Sequence, residues 1–326
     1  MKKSDLKYLI TILTLLFFGS ATAITIESKN QQLELDKNKG FFEGDVKVQV
    51  GDVVVQSPRA DLDLEPKTKK PTLATFFDKP YAHQTKNNKK HEVKADIIKV
   101  SLIKKVITAQ GNAQTNVLQD KKPVIIITAD EQEYDTNTNL MKATGSVVIN
   151  YEDMLATSDN AYALLNKQGD VQNIKLSSKA TIKQDKSIIK GDNIQYSALR
   201  QDIIVSGNTM SDITFENGDR VIVNARNQQY DRQGNAIMAT GAVNVKYADY
   251  VANGPKAIMY INAKTNKPDK IIFIGRSKIT EKATNSVEAD KITLTIEPKT
   301  FEADGNVKTT IKQDSNKNDN KMEFSL

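Results

Sequence analysis

FFEGDVKVQV (41–50), MKATGSVVINY (141–151) and IMATGAVNVKY (237–247) decide the fold of this chain. In each, a glycine stands between two stretches in which apolar and polar residues alternate. Val46, Val48 and Val50 fall on one face and Lys47 and Gln49 on the other; Val243, Val245 and Tyr247 repeat this against Asn244 and Lys246. Side chains in a strand point alternately to opposite sides, so this is the pattern of a strand with one buried and one wetted face. Working outward, the same arrangement returns at 75–84, 106–117, 175–184, 203–213, 271–280 and 301–311. The nine centres are Gly44, Asp78, Gly111, Gly145, Ser178, Gly207, Gly241, Gly275 and Gly305, separated by 29 to 34 residues. A short period sustained over nine recurrences is the mark of a chain built by stacking similar units.

A second element precedes each centre, marked by Lys29, Arg59, Asp96, Asp130, Asp159, Asp192, Arg226, Pro255 and Asp290. From marker to centre is 15 residues, except for the middle member of each group of three, where it is 19 or 20. That modulation groups the chain into three larger repeats, 24–118, 119–214 and 215–311. Glycines at Gly44, Gly111, Gly145, Gly207, Gly241, Gly275 and Gly305 are expected to have a structural role, at a bulge or a close approach of neighbouring rungs. Turn residues separate the strands: Glu65-Pro66-Lys67-Thr68, Asn166-Lys167-Gln168-Gly169, Asn217-Gly218, Asp231-Arg232-Gln233-Gly234 and Glu297-Pro298-Lys299-Thr300. No window after residue 24 carries a capped helical stripe. The fold class is therefore all-β, and the pattern leaves a sandwich and an elongated stack level.

The ends read differently. MKKSDLK, the apolar run from Tyr8 to Gly19 and Ala21-Thr22-Ala23 form a secretory signal pattern over 1–23, with cleavage expected after Ala23. Residues 312–326 form a polar tail expected to be disordered. An exported chain commonly relies on disulfides, yet this one has no cysteine. Its stability must come from core burial and sheet hydrogen bonds. The net charge of +6 is spread along the chain, favouring anionic surfaces without a nucleic-acid stripe.

Nothing in the sequence points to catalysis or to a cofactor. Thiol nucleophiles are excluded, no phosphate-binding loop or nucleophile elbow is present, and the only histidines, His83 and His91, lie eight apart in a Lys- and Asn-rich stretch. The aspartates recur in unit after unit. A catalytic pair is needed once, whereas a turn or strand-start aspartate is needed in every unit.

The order ITIESKNQQLELDKNKGFFEGDVKVQV (24–50), RADLDLEP (59–66), DKPYAHQ (78–84), KADIIKV (94–100) and VITAQGNAQTNV (106–117) resembles the OstA-like domain of the LptA group, periplasmic bridge proteins of lipopolysaccharide transport. Gly44-Asp45-Val46, Ala60-Asp61, Lys79-Pro80 and Ala95-Asp96 carry the likeness, which recurs across roughly residues 24–311. The resemblance implies an elongated, open, twisted β-jellyroll of two facing antiparallel sheets, V-shaped in section. It implies the periplasm of a Gram-negative-type envelope, lipopolysaccharide or a related glycolipid as cargo, and inner- and outer-membrane proteins of the same pathway as partners through terminal edge strands. Head-to-tail self-association belongs to the same set of implications, and nucleic acid does not. Candidate groove-lining residues are Val46, Val48, Val50, Leu62, Leu64, Ile98, Val147, Ile149, Tyr151, Tyr162, Leu164, Tyr196, Val243, Val245, Tyr260 and Leu294. Shielding an alkyl chain is worth roughly 0.8 kcal/mol per methylene. The same residues could instead fill a dry core in a structural or adhesive repeat protein, and amphiphile binding separates the two.

Overall fold

The computed structural model describes residues 24–312 apart from 51, 87–88, 152, 167–170, 216–217, 266 and 283. The signal-like start, the tail from 313 onward and the turn residues after Asn166 lie outside the described residues. The chain divides into two compact units at Ser178/Lys179. The boundary falls on one of the nine centres.

Unit 1 contains β1 (Ile24–Glu27), β2 (Asn30–Glu34), β3 (Lys39–Val50), β4 (Val53–Leu64), β5 (Pro71–Phe77), β6 (Tyr81–Lys86), β7 (Lys89–Lys94), β8 (Ile97–Ser101), β9 (Val106–Gln119), β10 (Lys122–Asp135), β11 (Leu140–Tyr151), β12 (Met154–Leu165) and the start of β13 (Val171–Gln184). Unit 2 holds the rest of β13, then β14 (Ser187–Ser197), β15 (Asp202–Thr214), β16 (Arg220–Asp231), β17 (Ala236–Tyr247), β18 (Tyr250–Ile261), β19 (Pro268–Glu281), β20 (Asn285–Thr295), β21 (Thr300–Asp304) and β22 (Lys308–Thr310). The described residues form no helix. Antiparallel hairpins follow one another in tandem, giving an all-β, jellyroll-like repeat fold.

Each long strand runs through a corner. The first half of β3 pairs with β2 and its second half with β1; β9 pairs likewise with β8 and then β7. At the corner the register slips by one residue. Gly44 and Asp45 of β3 face only Pro58 of β4, Gly111 and Asn112 of β9 face Asp130 of β10, and Gly145 and Ser146 of β11 face Asp159 of β12. Unit 2 repeats this with Gly207 and Asn208 against Arg226, Gly241 and Ala242 against Pro255, and Gly275 and Arg276 against Asp290. An extra residue in one strand bends it sharply and raises its twist. The bend carries each strand from one half-sheet into the facing one, and the apolar side chains of both halves meet inside. In unit 2 they form a continuous core that includes Val221, Val243, Val245, Phe273 and Ile292.

Candidate functional site

The corner row explains the recurring glycines and aspartates. All seven predicted glycines have φ between +73° and +84°, and the residue after them, where it is Asp45, Asn112, Ser146, Asn208, Ala242 or Asn306, also lies at φ of +47° to +51°. A Cβ on Gly145 would run into the Asp130 carboxyl, 2.6 Å from Cγ; one on Gly207 would meet Asp192 and one on Gly44 the Lys29 stem. The covering residue is the one 15 positions earlier, or 20 for Gly275, which meets Pro255, so the sequence interval is the spacing between a strand and the rung stacked on it. Polar pairs fix the second corner residue: Asn112 Nδ2 donates to Asp96 Oδ2 (2.9 Å), Asn306 Nδ2 to Asp290 Oδ2 (2.6 Å), and Lys29 pairs with Asp45 (2.7 Å). At the two centres without glycine, Asp78 and Ser178 adopt φ of +64° and +65°, showing how firmly the corner demands this backbone. Asp96, Asp130, Asp192 and Asp290 thus have a structural role against Gly111, Gly145, Gly207 and Gly305.

The candidate groove residues separate into three groups. In unit 1 an apolar cleft of about 70 Å³ lies between the half-sheets. Ile26, Val48, Val50 and Val53 line one side, and Leu62, Ala74, Phe76 and Leu102 the other. Val48, Val50 and Leu62 therefore touch this space, while Leu64, half-buried beyond Leu62, does not reach it. A second group is packed shut: Val46, Ile98, Val147, Tyr151, Val243, Val245 and Leu294 are buried in the core. Ile149 and Tyr196 are half-buried on the inward face, in line with Val147 and Ile194.

Tyr162, Leu164 and Tyr260 need correction, because they lie on the outer face. In β12 the inward residues beyond the corner are Ala161, Ala163 and Leu165, paired with inward Ala143 and Met141, so Tyr162 and Leu164 point the other way. Tyr162 is 37% exposed. In β18 the inward residues are Ala257 and Met259, and the Lys270 ammonium lies 5.2 Å from the Tyr260 ring centroid on the outside. The cause is the register slip: in the strand opposite a Gly-X pair, inward parity switches at the single facing residue, here Asp159 and Pro255.

One inner feature escaped the sequence reading. Gln132, buried on β10 beyond the corner, donates to the carbonyls of Ala113 (3.0 Å) and Ile127 (3.1 Å) and accepts from Thr115 Oγ1 (2.6 Å). It thereby ties the two half-sheets together across the corner. Gln228 does the same in unit 2, donating to Val223 O and Thr209 Oγ1 and accepting from Ser211 Oγ. Tyr230, whose hydroxyl adjoins Ser211 and donates to Gln228, is pushed above the usual phenol range by burial. Both glutamines occupy the same place in ADEQEYD (129–135) and ARNQQYD (225–231), and that shared glutamine-x-tyrosine-aspartate was the available signal.

His83 stacks on Tyr81 on the outer face of the β6–β7 hairpin, whereas His91 is 2% exposed on the inner face, so the two cannot share an ion. Burial, helped by Lys90, lowers His83 from the usual imidazole range against a smaller opposing effect of Glu92. Among the described residues no cluster of three or more His, Asp or Glu side chains could hold a metal.

The N-terminal segment that contains the cleft has a recognisable relative. Residues 25–125 match the family described as LptA/(LptD N-terminal domain) LPS transport protein. This covers β1 to β9 and the start of β10, and with them the first three centres, Gly44, Asp78 and Gly111. A solved structure, the crystal structure of LptH, the LptA-homologous periplasmic component of the conserved lipopolysaccharide transport device from Pseudomonas aeruginosa, is 16% identical. The alignment covers 38% of this chain and 84% of LptH, with a TM-score of 0.33. No curated protein matches the chain.

Proposed function

We propose that the chain is a non-catalytic periplasmic lipid carrier of lipopolysaccharide transport, holding acyl chains of lipopolysaccharide or a related glycolipid between its half-sheets. The observation that carries this reading is the apolar cleft between the half-sheets of unit 1, inside the segment that matches the transport family. Burial of about ten methylenes would contribute on the order of 8 kcal/mol before ordering costs, enough to hold an acyl chain without any polar anchor. The cleft as it stands is smaller than such a cargo, so loading parts the half-sheets about the corner row. In the closed core of unit 2 the buried Val243, Val245 and Leu294 favour the second reading, a solid structural repeat.

The two readings separate on one experiment. A photo-crosslinking residue at Val48, Ile149 or Val245 should capture glycolipid in cells, with Val48 strongest because it already lines open space, while Lys47 and Asn244 on the outer face should capture little. Adducts to protein alone at all three inward sites, in a folded and exported protein, would leave the solid repeat.

The proposed partners are other members of the pathway and further copies of this chain, met through the edge strands. Among the described residues β1 and β2 pair only with β3, and β21 and β22 only with β20. Open edges of this kind readily accept another strand.

A further inference from the structure

The turns at one end of the unit 1 strands carry a pattern that the cargo reading leaves unused. They are residues 35–38 between β2 and β3, 65–70 between β4 and β5, 102–105 between β8 and β9, and 136–139 between β10 and β11. Hydrogen bonds join neighbouring turns. Lys69 Nζ donates to the Leu35 carbonyl and to Asn38 Oδ1, both at 2.7 Å. Leu102 N donates to Thr72 O (2.9 Å), while Thr136 N and Asn137 Nδ2 donate to the carbonyls of Lys105 (2.9 Å) and Lys104 (3.0 Å). The tips therefore form a fixed row.

Charge on this row is one-sided. It holds Lys37, Lys67, Lys69, Lys70, Lys104 and Lys105 against Asp36 and Glu65. Lys37 pairs with Glu34, but Lys67, Lys70, Lys104 and Lys105 have no ion-pair partner among the described residues. The turns at the opposite ends of the same strands present Asp52, Asp120 and Asp153 against Lys121. Among the lysines stand two large apolar side chains, Leu35 at 54% and Ile103 at 70% exposure. Unit 2, taken by itself, has an exposed apolar tip at the equivalent turn 96 residues on, Leu199 at 88% exposure, beside Arg200, which pairs with Asp202.

Single exposed leucines are ordinary on a protein surface, and lysines alone would suit any anion. The combination is more specific. Apolar tips flanked by long cationic side chains suit an interface whose outer layer is anionic and whose inner layer is hydrocarbon, because the tips can leave water while the ammonium groups stay among headgroups. An acidic protein would answer the charge but would need a matching socket for each tip.

We propose that this row docks unit 1 on an anionic phospholipid leaflet, with Leu35 and Ile103 entering the interface and Lys67, Lys70, Lys104 and Lys105 lying among the headgroups. Leu102, next to Ile103, lines the cleft, so docking would set the lip of the cleft against the bilayer. The inference stands apart from the cargo: a chain that carried no glycolipid would still bind the leaflet.

The chain has no tryptophan, so Ile103→Trp introduces a sole reporter. In the full chain its emission should shift to the blue on vesicles of phosphatidylcholine with phosphatidylglycerol, and not on phosphatidylcholine alone. Lys121→Trp, on the β9–β10 turn at the opposite strand ends of unit 1, should not shift. Replacing Lys67, Lys70, Lys104 and Lys105 together by Gln should weaken binding to the anionic vesicles by roughly fivefold per lysine, with the effect shrinking in high salt. The same change at Lys89, Lys94, Lys121 and Lys122, which lie on unit 1 away from this row, should cost far less. Equal loss in the two quadruple variants would reduce the effect to bulk charge and overturn the docking row. So would an Ile103→Trp signal that stays unshifted on bound vesicles, or one that shifts equally with soluble polyglutamate, which would point to an acidic protein surface. Unchanged circular dichroism of the lysine variants is the folding control, and the single Trp variant tests the tip independently of them.

Discussion

At the scale of single residues the corner decides what can be changed. Gly145 and Gly218 both have positive φ, +79° and +89°, so a side chain at either position meets the same backbone penalty. They differ in surroundings: a Cβ at Gly145 collides with Asp130, while one at Gly218 meets nothing within 4 Å. Gly145→Ala should therefore cost about 1–3 kcal/mol more than Gly218→Ala in thermal or denaturant unfolding. Equal losses would remove the close rung-to-rung contact from the account. A second residue-scale test concerns Gln132. Gln132→Leu keeps much of the volume but strips the Ala113 and Ile127 carbonyls of their donor, and should cost about 1–3 kcal/mol. Because Thr115 donates to the same glutamine, Thr115→Val in that background should add little, a non-additivity that a double-mutant cycle reads directly. The sequence made the glycine row legible through its period, because a backbone requirement repeated in each rung leaves the same residue each time. It did not make the glutamine clamp legible, since a polar residue on a strand reads as outward until the corner shows that it points in.

Strands and hairpins were legible by alternation, except where the alternation itself changes phase. Reading a stretch such as MLATSDNAYALL (154–165) straight through the centre keeps one parity, and that is how Tyr162, Leu164 and Tyr260 come to be placed inside. In the Gly-X strand two residues occupy the bend and inward parity survives, as from Phe42 to Val46; in the facing strand one residue occupies it and parity switches, as from Ser158 to Ala161. The same hairpin logic predicts an acid response. On β15 and β16 Arg220 donates to both oxygens of Asp212, at 2.7 and 2.6 Å, and this hydrogen bonding holds the carboxyl below its usual range against a smaller opposing effect of burial. A carboxyl lowered in the folded state contributes stability that is complete above its unfolded pKa, about 3.9, and fades as pH falls through the folded value. Unit 2 should therefore lose this contribution only on the acid side of about pH 4, and Arg220→Gln should flatten that part of the pH–stability curve while leaving its slope near neutrality unchanged. A slope altered near neutrality would assign the dependence to another group.

For the whole molecule, the repeats say how one chain would meet the next. Ile24, Ile26, Gln31 and Leu33 stand 101 residues before Ile125, Ile127, Gln132 and Tyr134, all buried in β10, yet Ile24 and Leu33 are 42% and 56% exposed. At the other edge Val307, Thr309 and Ile311 stand 194 residues after Ala113, Thr115 and Val117, which are at most 1% exposed in β9; Val307 and Ile311 are 51% and 50% exposed. β9 and β10 pair inside the chain, with Val117 opposite Ile125, Thr115 opposite Ile127 and Ala113 opposite Ala129. The two outer edges thus carry the halves of a joint that the molecule already makes once internally. If copies associate end to end through it, Ile311 of one should face Ile24 of the next, Thr309 should face Ile26, and Thr309 should reach Gln31 as Thr115 reaches Gln132. Opposed residues in an antiparallel pair have Cβ atoms about 4.5–5.5 Å apart, near enough for a disulfide after slight adjustment. The chain has no cysteine, so the double variant Ile26→Cys with Thr309→Cys should give a ladder of covalent dimers and higher oligomers on mild oxidation. Moving one partner by a single residue, to Lys308→Cys, turns its side chain to the other face and should leave monomers. Ladders of equal yield from both variants would mean collision without register, and monomers from both would mean that these edges meet a different protein.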